Sequence, residues 1–291
     1  MIITDAQVHI WELSRPGREW PEGRFMPTWA STPLSADQLV ARMDEASVDR
    51  AVLVPPAFEG DRNDLSLEAA ARYPERLAVM GRMPIDDPET PARMAEWART
   101  PGAIGLRFTF FIPQHREWLE TGVTDWLWPR AAELGIPLMV YPAPDILELI
   151  GPVARDNPDV KITIDHLAVG HEEWRRDEKA FEHLDTLLGL AQYPNVAAKA
   201  SGLPEYSTQP YPYRNMHGYL KDVVQAYGPQ RTFWGTDLTR LPCTYREAVT
   251  MFTEEMDFLS ADDLEWIMGR ALGQWHGWPQ PGDKLAPEHG S

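Results

Sequence analysis

The sequence predicts a single-domain α/β protein, a (β/α)8 TIM barrel. Three observations predict it. Eight short apolar runs recur along the 291 residues, each followed by a polar loop and an amphipathic stretch, the rhythm of βαβ units. Several of the runs are continuously apolar rather than alternating, as strands buried on both faces of a parallel sheet are. No Gly-x-Gly-x-x-Gly follows any of them, which removes the main sign of an open doubly wound sheet. Eight such units closing on themselves suit a chain of this length.

The strand candidates are residues 2–8, 50–54, 77–83, 104–108, 137–141, 160–164, 196–200 and 232–235. Helical candidates lie between them, the first at 35–46 with Ser35 as its N-cap. The next, at 63–73, carries Leu65, Leu67, Ala69 and Ala70. Others follow at 90–98, 126–134, 146–157, 178–192, 217–227, 245–259 and 261–275. The barrel is expected to occupy residues 1–278. Residues 279–291, polar with Pro and Gly, are expected to form a poorly ordered tail. Residues 12–33 form a long loop rich in Pro, Trp and Arg. Loops of that length inside a compact domain are usually functional. This one follows a strand, so it would lie over the barrel mouth, with Trp11, Trp20 and Trp29 either walling a pocket or packing the loop itself.

Polar side chains gather where the apolar runs end. Gln7 and His9 are two apart, so on a strand they point the same way. Buried and unpaired, each such group would cost about 1–3 kcal/mol, so they need partners. Ile164-Asp165-His166-Leu167 and Trp234-Gly235-Thr236-Asp237 offer them. A lone histidine at a strand end is more often a structural hydrogen-bonding group, but Gln/His, His and Asp at three strand ends match the way a barrel builds an active site. Asp165 is not expected to support His166, because neighbours on a strand face opposite ways. Arg107 and Lys199 are cations inside apolar runs, expensive unless paired. They read either as ligands for an anionic substrate group or as salt bridges to a loop acid. Tyr141 reads as a hydrogen-bond donor or a core aromatic, Arg240 as a further anion ligand. Arg214 and His217, in the loop with Tyr206, Tyr211 and Tyr213, are weaker candidates.

Taken together, Asp5-x-x-x-His9, Ile164-Asp165-His166 and Trp234-Gly235-Thr236-Asp237 resemble the amidohydrolase superfamily. The branch is that of metal-dependent hydrolases that includes sugar-acid lactonases and 2-pyrone-4,6-dicarboxylate lactonase. The resemblance runs from Asp5 to Trp278. It implies hydrolysis of a small lactone by attack of water. Asp237 would be the general base, with His166 and His9 positioning or polarising. Arg107 and Lys199 would hold the anionic part, and Trp11, Gln7, Tyr141 and Arg240 would line the substrate site. It also implies one divalent metal, zinc or manganese, on His9, His166 and Asp237. One position departs from the family: the usual His-x-His of the first strand begins here with Gln7, which offers only a weak amide oxygen. The metal is therefore expected to be weakly held or absent.

Composition narrows the alternatives. Acidic residues number 44 against 27 basic, a net charge of −17, which argues against nucleic acid and anionic membranes as partners. Any anionic substrate would need a local cationic cluster to overcome that field. No run approaches the ~18 apolar residues of a membrane span. A basic, then apolar, leader is not present, so a cytoplasmic setting is expected. The single cysteine, Cys243, excludes an intramolecular disulfide. There is no Gly-x-Ser-x-Gly, no phosphate loop and no cysteine pair for zinc. A small-molecule substrate is the expected partner; a homo-oligomer is left open. Two other readings stand beside lactone hydrolysis. One is decarboxylation of an aromatic acid, which would want a firmly held metal; the other is a non-catalytic barrel that binds a small ligand.

Overall fold

The computed structural model of the protein describes residues 1–24, 26–170, 176–278 and 280. Eight parallel strands follow one another in chain order: β1 (Thr4–Val8), β2 (Arg50–Leu53), β3 (Leu77–Gly81), β4 (Ala103–Phe110), β5 (Leu138–Pro142), β6 (Ile162–Ile164), β7 (Val196–Ser201) and β8 (Thr232–Gly235). Helices lie between them, so the chain forms the expected (β/α)8 barrel. Both faces of the sheet are buried, which is why the strands read as continuous apolar runs. Leu53, Val79, Leu106, Val140 and Trp234 pack outward against helical residues such as Leu39, Met43, Trp128 and Leu220. Ala6, Val52, Met80, Met139, Ala197 and Phe233 fill a separate inner cluster.

The inner cluster is plugged from below. Ala271 and Leu272 of the last helix belong to it, and Trp275 and Trp278 pack against it. Lys161 Nζ and Arg50 Nη1, from the starts of β6 and β2, each donate to this segment at 3.2 Å, to the carbonyls of Trp275 and Trp278. Gly269 allows the plug to come this close: a Cβ there would sit 2.8 Å from the Ile2 carbonyl oxygen and from Thr4 Oγ1. With the N-terminal end of the barrel filled, chemistry is left to the C-terminal end.

The strand ladder runs from β1 to β8 and does not itself join the two ends. A carboxylate does. Asp5, fully buried, accepts from the backbone N–H of Gln7 at 3.0 Å and of Thr236 at 2.9 Å, and from the hydroxyls of Thr236 at 2.5 Å and Tyr245 at 2.8 Å. The Asp237 N–H then donates to the Gln7 carbonyl at 3.0 Å. Gly235 lets the strands close in, since a Cβ there would lie 3.1 Å from that of Ser201 and 3.2 Å from that of Ala6. The β1–β2 register slips between Asp5 and Val8. This slip lets Ala6 join the inner cluster while the next side chain, Gln7, also reaches inward, the kind of re-aiming a bulge produces.

The helices depart from expectation in four places. The helix expected over 245–259 starts on a Thr244–Glu247 capping box but ends at Thr253, where Glu254 and Glu255 oppose the macrodipole. The segment 261–275 is not one helix: a wide turn, Trp266–Arg270, interrupts it at the Gly269 contact. Residues 178–192 hold only the short helix Leu184–Gly189 between tighter turns. Pro113–Glu120 is a helix that the sequence did not lead one to expect; none of its residues is fully buried, and Leu119 packs against the core. The expected tail lies outside the described residues except for Gln280, whose amide donates to the Ile2 carbonyl at 3.0 Å. Among the described residues no helix is long and apolar enough to cross a membrane.

Two stability outcomes follow. Asp5→Asn replaces an acceptor by a donor facing donors, so unfolding in urea should show a loss of about 1–3 kcal/mol per orphaned group; an unchanged midpoint would remove Asp5 as the closure. His276, buried beside the plug, has its pKa pushed down to about 3 by burial and by Lys199 and Lys161. The unfolded chain then takes up a proton that the folded protein refuses as pH falls below about 6.5. Stability should therefore fall with falling pH between about 6.5 and 3, by up to about 1.4 kcal/mol per pH unit. In His276→Leu this slope should be flatter; an identical slope in both proteins would show that His276 does not supply it.

Candidate active site

Each polar strand end sits on a backbone that holds it in place. Asp237 follows β8 in the left-handed region, at φ 52°, and His166, Leu167 and Ala168 follow β6 at 51°, 52° and 58°. Such conformations cost on the order of 1–3 kcal/mol each outside glycine. Local bonds stabilise the turn: the Val169 N–H donates to the His166 carbonyl, His183 Nε2 lies 2.7 Å from the Leu167 carbonyl, and Tyr141 Oη donates to the Val169 carbonyl at 2.7 Å. The strain aims His166 and Asp237 into the same space as Gln7 and His9.

His9 Nδ1 lies 2.6 Å from the Val54 carbonyl, so Nδ1 carries a proton and Nε2 faces inward. Trp29 stacks on this ring, 5.7 Å between centroids and 11° between planes. His9 Nε2 is 3.1 Å from Asp237 Oδ1, and His166 Nε2 is 3.9 Å from Asp237 Oδ2. A neutral His9 presents only a lone pair to Oδ1, which has no aligned donor among the described residues. The imidazolium form would donate to both Val54 and Asp237. Burial works against the Asp237 charge, but His9, His166 and Arg240 outweigh it and hold its carboxyl well below the usual range.

Gln7 links this group to a buried charge network. Its Nε2 is 3.1 Å from His166 Nε2 and 3.4 Å from His9 Nε2, one amide hydrogen for each ring. Its Oε1 accepts from Lys199 Nζ at 2.5 Å, and a lysine can only donate, so the amide orientation is settled by chemistry. Lys199 is fully buried and stands 2.7 Å from Asp165 Oδ1; burial lowers its pKa while Asp165 opposes the shift. Arg107 Nε donates to Asp165 Oδ2 at 2.8 Å. Thus Asp165 does not support His166, which instead meets Ser201 Oγ through Nδ1 at 2.8 Å. It is a single carboxylate shared by two cations.

Several candidates sit differently from expectation. The Lys199 ammonium is enclosed by Asp165, Gln7 and Met139 and is not offered to a ligand. Tyr141 spends its hydroxyl on Val169, and Trp11 its indole N–H on the Ala30 carbonyl; Trp11 packs with Trp29 and Phe58. The long loop packs Trp20 and Trp29 onto Phe58 and Trp11 outside it, and reaches the site through Trp29. Arg240 is held by both oxygens of Glu205 and stands 3.8 Å from Asp237 Oδ2. Arg214 pairs with Glu255 at the surface, and His217 bonds the Pro212 carbonyl; neither joins the site. Sequence reading missed Asp165, Ser201, Glu205 and Arg82. The signal for Arg82 was present: it is a cation after an apolar run, like Arg107.

His9, His166 and Asp237 are the donor types that divalent metals take. The arrangement nevertheless does not fit a resident ion. The Gln7 amide nitrogen already engages both imidazole nitrogens, at 3.4 and 3.1 Å, which would need to approach zinc to about 2.0–2.1 Å, and an ammonium stands behind the amide. Among the described residues no set of three or more His, Cys, Asp or Glu is placed to hold a metal ion.

The family model described as "Amidohydrolase" matches residues 4–271. The L-fucono-1,5-lactonase of Burkholderia ambifaria is 26% identical over 235 residues, 80% of this chain and 79% of that protein. The 4-sulfomuconolactone hydrolase of Hydrogenophaga intermedia is 24% identical over 202 residues, 69% and 64% of the two chains. A crystal structure of an amidohydrolase from Burkholderia multivorans with bound zinc superposes with a TM-score of 0.79 at 19% identity, covering 96% of this chain and 100% of that one. Divalent metal is common in the family.

Zinc affinity tests the role of Gln7. Gln7→His should bind zinc more tightly than the natural protein, and Gln7→His/Lys199→Met more tightly again. Equal affinities of the natural and Gln7→His proteins, in competition against a chromophoric chelator, would show that Gln7 is not what excludes the ion.

Proposed function

The chain belongs to the amidohydrolase family and is a hydrolase, and we propose that it opens a small anionic lactone without a resident metal. One observation carries this reading: a buried carboxylate oxygen without an aligned donor, Asp237 Oδ1, lies 3.1 Å from an imidazole nitrogen at the mouth of the barrel. A water donating to that oxygen would be oriented for attack. The lactone-opening relatives at 26% and 24% identity support the substrate class.

The chemistry follows from the pair. As the water oxygen bonds to the lactone carbonyl carbon, its proton passes to the Asp237–His9 pair. Asp237 is held ionised, so it is always ready to accept, but it is a poor resting place for a proton. The His9 imidazole beside it can take that proton on Nε2, 3.1 Å from Asp237 Oδ1, while Nδ1 stays on the Val54 carbonyl. The bond from carbonyl carbon to ring oxygen then breaks, and the stored proton goes to that oxygen, leaving a hydroxy acid. Arg107 donates to Asp165 only through Nε, so its outer nitrogens are available to an anionic group carried by the substrate. Gln7 and Lys199 hold the imidazoles in register rather than touching substrate. Decarboxylation fits less well, since it wants the firm metal that Gln7 displaces. The single cysteine is consistent with a cytoplasmic setting.

Asp237→Asn should lower kcat on a responsive lactone by about 10²-fold or more, the scale of a lost general base. KM should change little, and chelator should leave the natural protein's rate unaltered. Full turnover by Asp237→Asn would rule out the proton-acceptor role, and a non-catalytic binding barrel would then be the better reading.

A further inference from the structure

One buried cation at the mouth is left over from the network described above. Arg82 directly follows β3 and is only 7% exposed. Its Nε and Nη1 are buried and have no hydrogen-bond partner among the described residues. The nearest acid, Asp61, is 3.9 Å from Nε and is shared with Arg24 at 3.7 Å. The backbone of Arg82 is nonetheless fixed. Asn63 accepts from its N–H at 2.8 Å and donates to its carbonyl at 2.9 Å. A buried guanidinium on a pinned backbone, with Nε and Nη1 lacking acceptors, is a poor structural element, because buried unpaired donors are costly.

Its neighbour is informative. Gly81 of β3 is in register with Leu106 of β4, so the next residues, Arg82 and Arg107, stand side by side on adjacent strands. Arg107 spends one nitrogen on Asp165 and keeps its outer edge free. Arg82, Arg107 and Lys199 together face one fully buried acid, Asp165, an excess of positive charge inside a chain of net charge −17. Two adjacent guanidiniums repel each other unless an anion lies between them. Burial and the closeness of Arg107 lower the Arg82 pKa to about 10, which still leaves it charged at neutral pH.

We propose that Arg82 and Arg107 form a two-guanidinium subsite that binds a carboxylate carried on the substrate ring, with Arg82 as the residue that selects acidic over neutral lactones. This rests on the lactonase reading for its catalytic consequence but not for the binding itself. A planar carboxylate can bridge the two forks and supply the acceptors that Arg82 lacks. Lys199 is enclosed and takes no part.

The test compares one δ-lactone bearing a ring carboxylate with the same lactone bearing a carboxamide. The natural protein should favour the acid in kcat/KM. Arg82→Met should reduce that acid-to-amide preference by about 10–100-fold, the scale of one charge-assisted contact, and chiefly through KM. Arg82→Lys, which keeps the charge and guards against simple misfolding, should retain an intermediate preference. Calorimetry with cyclohexanecarboxylate, which cannot be hydrolysed, reads binding alone; its affinity should fall at least 10-fold in Arg82→Met. A natural protein without preference for the acid, or variants that lose acid and amide activity in equal proportion, would overturn the subsite. Arg82-dependent binding of cyclohexanecarboxylate by a protein that opens neither lactone would keep the subsite and overturn the lactonase reading.

Discussion

The barrel is closed by a charge. Between β8 and β1 a single buried carboxylate, Asp5, collects two backbone N–H groups and two hydroxyls. Burial raises its pKa and these four bonds work to lower it. The consequence for chemistry is direct. Asp5 lies two residues before Gln7 and four before His9, while Thr236 precedes Asp237. Tying Asp5 to Thr236 therefore sets the distance between Asp237 and the His9 imidazole. The register slip that follows Asp5 turns Gln7 inward as well.

From that closure the interior charges build outward in order. Asp165 pairs with both Arg107 and Lys199; Lys199 orients the Gln7 amide; the amide orients both imidazoles; His9 meets Asp237. Buried ions such as these do not add stability by themselves, since desolvation offsets much of their attraction. What the network supplies is position. The Gln7 amide, held from behind by the Lys199 ammonium, faces the imidazole lone pairs of a donor set that suits a divalent ion. Four left-handed residues, His166, Leu167, Ala168 and Asp237, hold the two loop turns that this requires.

Much of this was legible along the chain. The eight strands could be read because a strand buried on both faces cannot hide its apolar run. Gln7, His9, His166 and Asp237 could be read because a polar side chain at the end of such a run needs a reason. Asp5 and Asp165 were harder. Each looked like an ordinary polar neighbour of a more obvious residue, and the partners that give them meaning lie 231 residues away for Asp5 and 58 for Asp165. Lys199 and Arg107 carry the same signal in sequence, a cation in an apolar strand. Only folding separates them, enclosing one completely and leaving the other with an open edge. The helix Pro113–Glu120 was hard to read because it only half-buries its apolar side chains.

The sequence by itself determined the barrel, which end of it is polar, and the residue types that meet there, because strand burial and strand-end polarity are local properties of a chain. It also determined that the first histidine of the usual pair is absent. The tertiary structure decided which charge answers which. Whether Gln7 is a weak ligand or the group that fills the ligand space depends on an ammonium supplied by β7. Whether Arg82 is paired depends on how far Asp61 stands from it. Hydrogen bonds and ion pairs act over about 3–4 Å, and no distance of that size between remote residues is written in their order.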